Sequence, residues 1–201
     1  MSFIHFFDLL GTFAFAVSGA LLGVKKRMDI YGLFVLALAV AMGGGTIRDV
    51  MLGSTPPLVL KDPRYLWMVV FAVLLVAYFN SSLRKRGEYL AVADAIGLGI
   101  FTFIGASKGL SAGLDWYGIL LIAVLTSTGG GMIKDLLAGE IPLVLRKEVY
   151  ASASLVGGVV FLGLNAMGVH SGLNAFGTSL VVIGIRLYTL RASLNLPRAR
   201  L

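Results

Sequence analysis

The residues best suited to chemistry in this 201-residue chain occur twice. Gly43-Gly44-Gly45-Thr46-Ile47-Arg48-Asp49 returns 86 residues later as Gly129-Gly130-Gly131-Met132-Ile133-Lys134-Asp135. Each copy lies about two-thirds of the way along an apolar stretch. A glycine costs about 1 kcal/mol relative to alanine in a helix interior, so three together favour a kink or an unwound turn. Unwound backbone at membrane depth is tolerated only inside protein or beside a water-filled cavity. Close helix packing would account for the glycines, because small residues let backbones approach. It does not account for the basic residue and the aspartate that follow. Ionisable residues within apolar spans are costly and commonly face a pathway or a partner; the plainer alternative is an interfacial pair near the end of the span. Neighbours at i and i+1 do not face each other on a helix, so Arg48 and Asp49 are not expected to pair. The motif is no phosphate loop, since it lacks the Gly-Lys-Ser/Thr ending and a preceding strand.

Other residues carry weaker signals. Asp8 and Asp94 open the apolar stretch before each motif, as pathway groups or as simple interfacial acids. Tyr31 and Tyr117 suit an interfacial aromatic belt as well as a site. Gly19-x-x-x-Gly23 and Gly105-x-x-x-Gly109 read as helix-packing motifs. Arg186 reads as a residue snorkelling to the interface. There is no cysteine, and His5 and His170 stand near opposite ends of the chain, so no resident metal site or cofactor is expected. No nucleophile–base arrangement is present, which argues against an enzyme.

The elements that position these residues follow from composition. Hydrophobic residues make up 58% and charged residues 13%, against roughly 25% charged in a soluble domain; mean hydropathy is +0.91. A spanning helix needs about 20 mostly apolar residues. Seven stretches qualify, at 3–24, 30–52, 65–83, 91–107, 116–138, 150–167 and 174–190, none shorter than the fourth. The first does not read as a cleaved signal, because its basic cluster Lys25-Lys26-Arg27 follows the apolar core. Basic residues accumulate on the cytoplasmic side. One side would hold Lys25, Lys26, Arg27, Arg84, Lys85, Arg86, Arg146, Lys147, Arg191, Arg198 and Arg200, the other only Lys61, Arg64 and Lys108. That places the N-terminus outside and the C-terminus in the cytoplasm. It also makes the net charge of +7 a topology signal rather than a nucleic-acid signal.

The 86-residue offset extends well beyond the motif. From 8 to 56, 17 of 49 positions are identical to their counterparts without a gap, including Gly11/Gly97, Phe15/Phe101, Asp29/Asp115, Gly53/Gly139 and Pro56/Pro142. Three spans per copy is an odd number, so the second copy must enter the membrane from the opposite side. This is the inverted-repeat plan of many transporters. The expected fold is a single all-α transmembrane domain over 1–201. It holds repeat one at about 3–86, repeat two at about 89–168, and an added seventh helix at about 174–191.

The doubled Gly-Gly-Gly-x-Ile-Arg/Lys-Asp motif and the seven-span plan resemble the prokaryotic branch of the trimeric intracellular cation (TRIC) channel family over nearly the whole chain. The resemblance implies a homotrimer in the prokaryotic inner membrane with a pore through each subunit. It implies that the second and fifth spans kink at the triplets and line that pore. It places Gly43, Gly44, Gly45, Arg48, Asp49, Gly129, Gly130, Gly131, Lys134 and Asp135 in or beside the pathway. The permeating species it implies are potassium and some sodium. The runner-up is a secondary transporter of a small zwitterion such as glycine, a label the same domain has carried. A structural or assembly protein without transport is a third reading.

Overall fold

The computed structural model describes residues 3–79, 86–146 and 149–192. Arg84, Lys85, Lys147, Arg198, Arg200 and the end of the third apolar stretch lie outside the described residues, as do the side chains of Arg86 and Arg146. The described residues form nine helices and no strand: α1 Phe3–Lys25, α2 Ile30–Met51, α3 Leu58–Lys61, α4 Arg64–Phe79, α5 Arg86–Ser111, α6 Trp116–Leu137, α7 Leu143–Arg146, α8 Val149–Ala166 and α9 Ser171–Arg191. Six of these, α1, α2, α5, α6, α8 and α9, are long and apolar enough to cross a membrane, and α4 is a shorter apolar helix.

The fourth apolar stretch, expected to be as short as any span, belongs to the longest helix, α5, with 26 residues. Hydropathy marks only its apolar middle. The polar turns around Glu88 and Ser111 keep their helical hydrogen bonds, which need no apolar side chains.

α2 and α6 end alike. Gly53 (φ 69°) and Gly139 (φ 71°) take the left-handed conformation that closes a helix C-terminus. The N–H groups of Ser54 and Glu140 then reach back to the carbonyls of Asp49 and Asp135. The short helices α3 and α7, unexpected from hydropathy, follow these ends. They share the sequence Leu-Val-Leu from Leu58 and Leu143, so Pro57 rather than Pro56 stands opposite Pro142. The first connection is one residue longer than the second, and an ungapped alignment had set Pro56 in that place.

α1 and α5 are the most enclosed long helices. They run antiparallel: Gly11 packs on Ile100 and Phe101, while Gly97 packs on Phe15. Phe15 and Phe101 stack with centroids 5.2 Å apart. Each central helix then holds its own partner by a small-residue contact. A Cβ on Gly19 would come 2.8 Å from Ala37 Cα, and one on Gly105 would come 2.8 Å from Ala123 Cα. The packing role read for these glycines therefore holds in both copies.

Candidate ion pathway

The glycine triplets form the crossing of α2 and α6. Both helices are α-helical through the triplets, so of the two forms expected, a kink or an unwound turn, the unwound turn is absent. A Cβ on Gly44 would strike the carbonyl oxygen of Thr126, and one on Gly130 that of Val40. Gly43 lies under the Ile133 side chain, and Gly129 under that of Ile47. Backbone thus meets backbone at the centre of the crossing, where only hydrogen fits. The third glycines differ. A Cβ on Gly45 would meet only Arg48 Nη2, at an ordinary 3.7 Å, whereas on Gly131 it would press on Tyr150 Oη at 2.5 Å.

The charges beyond the triplets are buried, Arg48 at 2% and Lys134 at 1% exposure. Burying an unpaired charge is prohibitive, so each must have a partner, but the two solve this differently. Arg48 turns back on its neighbour: Nε and Nη2 donate to Asp49 Oδ1 at 2.8 and 2.7 Å. The expectation that these two would not pair is therefore wrong. Their Cβ atoms do diverge, but a guanidinium on a three-carbon stem reaches around the turn. Asp49 Oδ2 also accepts from the Leu58 N–H at 2.9 Å, starting α3.

Lys134 instead leaves its own neighbour. Its Nζ pairs with Asp94 of α5 and lies 3.4 Å from Ser18 Oγ of α1. Ser18 Oγ in turn donates to Asp94 Oδ1 at 3.3 Å. Asp135 is left to accept from the Leu143 N–H at 2.7 Å, starting α7. Asp8, the counterpart of Asp94, accepts from Tyr65 Oη at 2.9 Å. Both aspartates, given a secondary place from sequence, therefore belong to the clusters. Tyr31 and Tyr117 do not; they stand at helix starts, 73% and 64% exposed, as an aromatic belt would.

Several buried polar residues were not legible as site residues. Tyr65 and Tyr150, at equivalent places in α4 and α8, each approach one cluster. Thr126, Ser127 and Thr128 precede the second triplet and donate to the carbonyls of Ile122, Ala123 and Val124; Ser127 Oγ also lies 2.9 Å from Ser154 Oγ and can accept its proton. The first triplet follows apolar Val40-Ala41-Met42 instead. An internal comparison of the two copies was the one signal that could have exposed this difference. Arg186, expected to snorkel, is 4% exposed and lies over the Tyr150 ring, 4.7 Å from its centroid.

At the rim, His5 Nε2 and Arg64 Nη2 lie 3.0 and 2.8 Å from Asp62 Oδ2. The Arg64 hydrogen bonds hold the Asp62 carboxyl below the ordinary carboxylate range. At the other end Lys26 pairs with Glu140 at 2.6 Å, tying α1 to the connection after α6.

Comparison with known proteins places this arrangement in a family. The glycine transporter family model matches residues 5–81 and 91–166, so it is met once by each copy. A UPF0126 membrane protein of Vibrio cholerae is 41% identical over 98% of this chain and 82% of its own length. A solved TRIC trimeric intracellular cation channel orthologue from Rhodobacter sphaeroides is similar, with a TM-score of 0.91 and 33% identity, covering 96% of this chain and 100% of that one. A prokaryotic TRIC channel solved in 0.5 M KCl is similar with a TM-score of 0.90 and 35% identity, covering 96% and 98%. The chain belongs to the family of that glycine transporter model, together with the UPF0126 membrane proteins, and is a prokaryotic TRIC family member.

Proposed function

We propose that this protein is a passive, potassium-permeable cation channel of the cytoplasmic membrane, and not an enzyme. It works as a homotrimer, with a pathway through each subunit lined by α2 and α6. The observation that carries this reading is the pair of buried charge clusters on either side of the glycine crossing, in a chain similar along its length to solved cation channels. Seven spans, with α4 counted, form two three-helix copies inserted in opposite directions, and α9 is the addition. The antiparallel contact of α1 with α5 supports the inversion. The unequal distribution of basic residues supports an N-terminus outside and a C-terminus in the cytoplasm.

A cation pathway with buried basic residues needs a physical account. Arg48 and Lys134 are each matched by a carboxylate, so neither presents a bare positive charge to a cation. Moving Lys134 off Asp94 would free a carboxylate beside the pathway, which makes that contact the candidate gate. The hydroxyl oxygens of Thr126, Ser127 and Thr128, whose protons go to helix carbonyls, keep lone pairs for a partly dehydrated monovalent ion. Potassium and sodium permeate, the surrounding lipid is the solvent, and no cofactor is required.

Carriage of a small zwitterion such as glycine has only the description of the family model in its favour. Single-channel recording of purified protein in a planar bilayer under a KCl gradient tests the proposal. Discrete unitary currents reversing near the potassium potential are expected. Saturable uptake coupled to an ion gradient, without unitary currents, would overturn it.

A further inference from the structure

Among the described residues, every charge buried beside the triplets has a counterpart in the other copy except one. Asp8 corresponds to Asp94, Arg48 to Lys134 and Asp49 to Asp135, and all six are buried. Arg186 corresponds to nothing, because α9 lies outside the repeat. No carboxylate of the described residues lies within ion-pair distance of it, and its buried Nε has no hydrogen-bond partner among them. The Tyr150 ring holds its guanidinium instead, a contact worth more when desolvated than at a surface. An arginine does not lose its proton in a protein, so this is a fixed positive charge.

Its place matters. Tyr150 Oη faces Gly131, at the end of the second triplet, one turn from Lys134. Arg186 therefore belongs to the Asp94 end. With formal charges, Asp8, Asp49 and Arg48 leave one net negative charge at their end. Asp94, Asp135 and Lys134 would leave the same at theirs, and Arg186 cancels it. The further charges at the Asp8 end do not alter the comparison; Lys61 is exposed and screened by solvent. Asp62 is neutralised at the rim by Arg64, and Lys108, at the end of α5, is partly exposed and screened.

We propose that Arg186 makes the two halves of the pathway electrostatically unequal, so that cation current rectifies, flowing more readily when cations enter from the Asp8 end. The inference rests on the channel reading. A net negative vestibule concentrates cations, and a charge in a poorly hydrated site is weakly screened. Arg186 is a positioning charge that acts on the ion's energy without touching the ion.

The test is the ratio of single-channel currents at equal and opposite voltages in symmetric KCl, with orientation fixed by one-sided addition. The parent should rectify. Arg186→Gln leaves one net negative charge at each end and should bring the ratio near unity, a change of about two- to threefold. Asp8→Asn leaves both ends neutral and should do the same. The double substitution should reverse the direction of rectification, and Arg186→Lys should keep the parent's ratio. A parent that does not rectify overturns the proposal. So does an assembled Arg186→Gln protein with an unchanged ratio, or an Arg186→Lys protein that behaves like Arg186→Gln, since either leaves only packing on Tyr150. If Arg186→Gln does not assemble, Asp8→Asn decides alone, and an unchanged ratio there overturns the proposal. A parent without unitary currents removes the channel reading and this inference with it.

Discussion

Arg48 and Lys134 stand at equivalent places in two copies of one motif, yet one closes on its own helix and the other reaches into two. The guanidinium is a planar fork that can hold a single carboxylate through two nitrogens, whereas the ammonium is a point charge on a flexible stem. Arg48 thereby makes a local unit with Asp49 and α3. Lys134 makes a tertiary contact joining α6, α5 and α1. A local pair moves with its helix, but a tertiary pair must break if the helices shift. The Lys134 end is therefore where a conformational change would be sensed, and the Arg48 end is the more rigid.

Effects on both halves are expected where both copies depend on the same contact. Gly44→Ala and Gly130→Ala each drive a methyl into a backbone carbonyl that cannot swing away. Overpacking of this kind costs about 1–3 kcal/mol or more. Each should lower the melting temperature of the detergent-solubilised protein and reduce conductance. Gly45→Ala meets only an ordinary contact and should be neutral or gain up to about 1 kcal/mol of helix propensity. If all three substitutions melt alike, the close approach at the crossing is not what the triplets provide.

Removing one partner of a buried ion pair costs about 3–5 kcal/mol, and here the two ends should separate. Lys134→Met strands Asp94 beside Ser18 alone, so it should destabilise and raise the open probability. Arg48→Met leaves Asp49 still bonded to the Leu58 N–H, so it should destabilise less and change gating less. Equal effects in thermal melts and single-channel records would erase the distinction between a local and a tertiary pair.

A smaller difference is expected at the aspartates that start α3 and α7. Asparagine also caps helices well, with cap changes worth about 1 kcal/mol. Asp135→Asn should therefore be mild. Asp49→Asn should cost more, because it also strips Arg48 of its carboxylate. A more damaging Asp135→Asn would show that Asp135 does more than start α7.

At the rim the Asp62 carboxyl is held low by Arg64. A carboxyl with a depressed folded pKa contributes stability that is complete above its unfolded value, about 4, and lost as pH falls through the folded value. Parent and Asp62→Asn should therefore differ in melting temperature at pH 6 and converge as the pH falls below about 4. A gap that persists into acid would assign Asp62 a packing role. The smallest effect belongs to Lys26 and Glu140, which are partly exposed. Lys26→Ala should cost no more than about 1 kcal/mol, and a large loss of conductance would make that tie part of the gate.

Much of this molecule was legible because lipid is an exacting solvent. It demands long apolar helices, and the stretches at 3–24, 30–52, 116–138 and 150–167 fall within a residue or two of α1, α2, α6 and α8. The repeat was legible because polar and glycine identities at a fixed offset do not arise from apolar composition alone. So was the location of the clusters, since charge inside a span needs a partner.

The sequence by itself determined that the charges of the two copies come in matched sets within apolar spans; that they are buried rather than interfacial, it left open. It did not determine how they would pair. Whether Lys134 joins Asp135, Asp94 or Ser18 depends on where α5 and α1 lie against α6, and helix phase alone gave the wrong expectation for Arg48. Nor did it determine whether a glycine triplet unwinds or packs. Lost helix propensity argues for the first, but the tertiary crossing, with the carbonyls of Val40 and Thr126 seated where side chains would be, decided for the second. Arg186 follows the same logic. Its charge is plain in the sequence, but only the packing of α9 on Tyr150 turns it inward, because a long side chain near a helix end reaches either water or the core according to its neighbours.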